Sequence, residues 1–62
     1  MWIERFPKEG ETIKIEFSTN TNMGIRIGVI QRFFENFVLV DFGNHLEYLD
    51  RMTTFYVLKK SG

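Results

Sequence analysis

Sixty-two residues make one domain near the lower size limit for independent folding, since a chain this short buries only about 60% of the surface it exposes when unfolded. The absence of cysteine excludes disulfides and thiolate metal sites, and a single histidine, His45, argues against an all-protein zinc site. Eight Lys and Arg balance eight Asp and Glu, which lowers the prior for nucleic-acid binding, while seven Phe, two Tyr and one Trp supply a dense apolar load in place of a staple.

Met1 to Pro7 is an apolar, aromatic lead-in whose Trp2, Ile3 and Phe6 are expected to cover an open end or edge of a sheet. Met1-Trp2-Ile3 is too short for a signal-peptide core and is followed by Glu4. No apolar run is long enough to span a bilayer, so a cytoplasmic protein is expected. Pro7 and the following Lys-Glu-Gly read as a turn. Glu11 to Phe17 alternates, with Ile13, Ile15 and Phe17 on one face and Thr12, Lys14 and Glu16 on the other, the pattern of a half-buried strand. Ser18 to Asn22 is all hydroxyl and amide, which suits a hairpin loop.

Met23 to Phe34 reads as a long second strand, with Ile25, Ile27 and Val29 on one face and Arg26, Gly28, Ile30 and Arg32 on the other. Gly28 is the expected bend, where one strand turns to serve both sides of a small sheet. Glu35-Asn36 and Gly43-Asn44 are two-residue hairpin signals, and the strand between them, Phe37 to Phe42, is apolar on both faces until Asp41, as a central strand would be. A short strand from His45 to Leu49, one turn of 3₁₀ helix at Asp50-Arg51-Met52, a last strand from Thr53 to Leu58 and a polar tail from Lys59 to Gly62 complete the chain. The fold class is therefore all-β: a single five-stranded antiparallel small barrel over residues 1–62, with residues 1–9 as lead-in.

GETIKIEF, GIRIGVIQRF, NFVLVDF and LEYLDRMTTFYVL, over residues 10 to 58, together resemble the small-barrel group of SH3-like, Tudor-like and Sm-like domains. The resemblance implies a bent second strand, here at Gly28. It also implies a final strand reached through a single turn and, in the Sm-like branch, in contact with a neighbouring subunit. The Asp and Asn pattern of the Sm family, the Tyr-Lys-His of the Hfq type and a full leading helix are missing from this chain, so the likeness is one of architecture, with which function does not travel.

For catalysis the best cluster is Asp41, His45, Glu47 and Asp50, but the two aspartates lie near turns and a barrel this small offers no deep pocket. No catalytic residue, cofactor, metal or small-molecule substrate is inferred. Phe33 and Phe34 must point to opposite faces, and an outward Phe beside Ile30 would make an exposed apolar patch. Ile30, Phe34, Phe37 and Tyr56 are the resulting candidates for protein contact. Arg26 and Arg32 share a face if alternation holds through Gly28. With Lys14 and Arg51 they are the candidates for nucleic-acid contact, although acids are interleaved with every base. The leading expectation is a non-enzymatic binding module working through protein contacts, self-assembly included. The alternative is a small barrel that binds RNA or DNA through a local Arg/Lys and aromatic surface.

Overall fold

The computed structural model describes residues 1–59 and contains six antiparallel strands in one sheet: β1 (Trp2–Glu4), β2 (Thr12–Ser18), β3 (Met23–Phe33), β4 (Phe37–Asp41), β5 (Leu46–Asp50) and β6 (Tyr56–Leu58). Their order is β1-β6-β2-β3-β4-β5, and no helix occurs among the described residues. Two expectations are corrected here. There are six strands, because the lead-in forms β1 and pairs along β6, with Ile3 opposite Val57. The sheet is also open, since β1 and β5 are its two edges and do not pair. Of the polar tail expected from Lys59, residues 60–62 lie outside the described residues.

The turns follow from local chemistry. Gly43, at φ +96°, opens a two-residue hairpin closed by Phe42 N–H donating to the His45 carbonyl at 3.0 Å, the geometry that favours glycine at the first turn position. Phe34 N–H donates to the Phe37 carbonyl at 2.8 Å around Glu35-Asn36, so that turn forms too, with Asn36 at ordinary negative φ. Gly10, at φ +86°, opens a bulge: its N–H donates to the Ile30 carbonyl while Ile30 N–H donates to the Glu11 carbonyl, so two residues oppose one. At Asp50-Arg51-Met52 the expected 3₁₀ helix is replaced by a single turn, in which Thr53 N–H donates to the Asp50 carbonyl at 3.0 Å and Met52 N–H to Asp50 Oδ1 at 2.7 Å. The Asp50 side chain closes the turn, so no further helical bond is needed.

The long strand β3 changes partner along its length. Met23 to Val29 pair with β2, and Val29 to Phe33 pair with β4. Gly28 stands next to this handover, and any Cβ there would come within 2.8 Å of the Asp41 carbonyl oxygen and of Val40 Cγ1. The extra residue of the bend is Gln31, however: Ile30 pairs with Val40 and Arg32 with Leu39, leaving Gln31 unpaired. One face of the sheet carries the core, formed by Ile13, Ile15, Ile30, Val38, Val40, Phe55 and Val57, with Phe33, Phe42 and Leu49 packed against it. Phe6 closes one end, its ring 5.4 Å from Phe33 and 6.0 Å from Phe55.

Candidate functional site

Gln31 decides which side chains meet on the outer face. Uninterrupted alternation from Gly28 and Ile30 would carry Arg32 and Phe34 inward. The extra residue reverses this, so Phe33 enters the core and Phe34 turns out. Arg26 and Arg32 consequently lie on opposite faces, correcting the expectation that they share one. Ile30, a candidate for surface contact, is a core residue at 1% exposure.

The outer face of β4 and β5 carries the densest exposed aromatic group. The Tyr48 ring, 62% exposed, meets Phe34 and Phe37 edge-on, with centroids 5.8 and 6.3 Å away. Strand pairing places Leu39 opposite Tyr48, and Leu46, also exposed, is two residues along β5 on the same face. The Arg32 guanidinium lies 5.4 Å from the Phe34 ring. Aromatic edges of this kind add about 0.5–1.5 kcal/mol per pair beyond burial, which holds the rings in place while their outer surfaces stay free. Tyr48 is the residue that reading by composition missed. Counting back from the Gly43-Asn44 hairpin sets Leu39 against Tyr48 and would have found it.

The four cations do not converge. Lys14 Nζ sits 5.2 Å from both the Trp2 and Tyr56 rings on the other half of the outer face, which occupies Tyr56 far from Phe34. Arg26 lies over Phe42 at 4.0 Å, with Nη1 2.6 Å from Glu47 Oε2 and Nη2 2.9 Å from His45 Nε2. The Glu47 contact is an ion contact without a directed hydrogen bond to Oε2. Arg51 donates to the Phe34 carbonyl at 2.8 Å and covers the Phe6 and Phe33 rings, so it ties the β5–β6 link to the Glu35-Asn36 turn. Arg32 and Arg51 are both exposed beside an exposed ring, Phe34 and Phe6 respectively, but Arg51 is held by the Phe34 carbonyl.

The acidic and histidine cluster is divided by strand alternation. Glu47 faces inward on β5, and Asp41 and Asp50 face outward. Each aspartate holds its own turn, Asp41 Oδ1 accepting from Gly43 N–H at 2.7 Å as Asp50 does from Met52. His45 Nδ1 lies 2.7 Å from Asn44 Oδ1, which fits an Nδ1–H donor with Nε2 accepting from Arg26. Among the described residues no three acidic or histidine side chains are grouped to hold a metal ion. A hollow of about 420 Å³ beside β1 and β6 brings together the Arg5–Glu11 ion pair and Lys59 without a histidine. No described helix is long and apolar enough to cross a membrane. Compared with known proteins, the chain matches no family, no curated protein and no solved structure.

Proposed function

We propose that this chain is a non-enzymatic binding module that acts through protein–protein contacts. The observation that carries the reading is the exposed aromatic group of Phe34, Phe37 and Tyr48, flanked by Leu46 on one open edge of the sheet. Tyr and Phe supply large, stiff contact area at low entropic cost, and exposed apolar patches of this kind mark partner surfaces. The order β6-β2-β3-β4-β5 and the shared strand β3 support placing the domain beside SH3-like and Sm-like small barrels, with β1 as an addition on the β6 edge. The edge that such a relative would offer a neighbour is therefore already filled by the chain's own β1.

A photo-crosslinker at position 48, with one at Glu4 as control, should capture a protein partner from position 48 alone. Binding of that purified partner should weaken by about 1–2 kcal/mol or more in Tyr48→Ala and Phe37→Ala. Salt-dependent binding of single-stranded RNA or DNA, lost in Arg32→Ala, would instead assign this face to nucleic acid, since phosphate contacts weaken with salt.

A further inference from the structure

A second surface stands apart from the aromatic group. Beyond Lys14, β2 has no partner on its β6 side, and β4 joins β3 only from Val29. Ile15–Ser18 and Met23–Gly28 are thus a two-stranded ribbon extending from the sheet. Such ribbons are marginal in water and gain stability from a third strand. The bonds joining Ile30 to Gly10 and Glu11 set the phase of the ladder, so that Gly24, Arg26 and Gly28 turn their backbone groups toward β2. The N–H and C=O groups of Met23, Ile25 and Ile27 point to the open edge. Their side chains line the outer face, with Ile25 59% and Ile27 55% exposed. No proline, lysine or bulge interrupts this stretch, and its one charged side chain, Arg26, points to the inner face, where Glu47 meets it.

We infer that this edge of β3 pairs antiparallel with the same edge of a second copy, joining two ribbons into a four-stranded sheet β2-β3-β3-β2. The inference is of the same kind as the protein-contact reading above, and it rests on that reading's class of function but uses a different surface. A second copy can pair here in a register free of like-charge contacts. Pairing centred on Arg26 would set two guanidinium groups against each other. Centring on Ile25 sets Ile25 against Ile25 and Met23 against Ile27, and places Arg26 opposite Gly24 of the second copy. The outer rows then read Glu16–Ile25–Ile25–Glu16 and Lys14–Ile27–Met23–Ser18, with no like charges adjacent. Zero net charge leaves no long-range repulsion between copies.

Sedimentation velocity over a concentration series tests the assembly. Five paired residues make a small interface, so a monomer–dimer equilibrium with a dissociation constant on the order of 10⁻⁵ M is expected. Ile25→Lys should weaken it by about tenfold or more, since an edge lysine opposes strand addition. Tyr48→Ala should leave it unchanged. Amide exchange of the unaltered chain gives a reading that does not depend on a variant's folding: Ile25 and Ile27 N–H should become protected as concentration rises. A chain that stays monomeric at millimolar concentration would overturn the inference. So would a dimer indifferent to Ile25→Lys, or Ile25 and Ile27 amides that exchange freely in the dimer. Addition of an unrelated extended peptide to this edge of a monomeric chain would overturn it as well. The two proposals separate cleanly: Ile25→Lys should still bind a partner at Tyr48, and Tyr48→Ala should still dimerise.

Discussion

Ile25 and Ile30 are five residues apart on one strand and do opposite work. Ile30 is enclosed by the core, whereas Ile25 faces outward beside Glu16. Ile30→Ala should cost about 2–5 kcal/mol through lost burial and a residual cavity. Ile25→Ala in the dilute monomer should change stability by no more than about 0.5 kcal/mol. Urea unfolding of the two variants checks the facing of β3 directly. A second residue pair governs the response to acid. Arg5 meets Glu11 through both guanidinium nitrogens, one at 2.9 Å, and Lys8 N–H donates to the same carboxylate at 2.6 Å. The hydrogen bond from Arg5, aided by Lys8, holds the Glu11 carboxyl below the usual carboxylate range against the opposing effect of burial. Because the folded pKa is lowered, the stabilisation is complete above the unfolded carboxylate range and is lost as pH falls through the folded value. Glu11→Gln should therefore be less stable than the parent at neutral pH. The difference in urea midpoint should close as the solution is acidified below the usual carboxylate range.

At the scale of elements, β1 decides what the sheet offers to a neighbour. Three residues suffice to fill the outer edge of β6, and Lys59 N–H donating to the Met1 carbonyl at 2.8 Å extends the pairing past the end of the strand. Trp2 also helps hold Lys14 over the outer face. Removing residues 1–4 should lower the thermal midpoint and add a new concentration-dependent association through β6, detectable by light scattering. The strand itself was legible only as an apolar lead-in suited to covering an edge, because three residues are too few to show a period. β3 teaches the complementary lesson. Its length and its apolar stripe are written locally. The position of the extra residue is not, because Gln31 is skipped only in relation to β4. That one skip exchanges Phe33 for Phe34 and separates Arg32 from Arg26.

At the scale of the whole molecule, the sheet is too small to hide its apolar side chains. Seven are buried among the described residues, while Met23, Ile25, Ile27, Phe37, Leu46 and Tyr48 remain outside. An open sheet has two faces and can cover only one by its own curvature. The surplus lies on the β5 edge with its aromatic neighbours and on the first half of β3, which β4 does not reach, and both surfaces suit contact with other chains. The sequence alone determined the all-β class and the sites of the turns at Glu35-Asn36 and Gly43-Asn44, whereas β4, expected to be central, stands next to the β5 edge with Phe37 exposed on its outer face. The class and the turns depend on turn chemistry and on alternation within a few residues. Only the tertiary structure decided the sixth strand, the open form of the sheet, the inward place of Ile30 and Phe33, and the scattering of Lys14, Arg26, Arg32 and Arg51. Each of those depends on which strand lies alongside, and pairing between distant segments leaves no periodic trace in either segment alone.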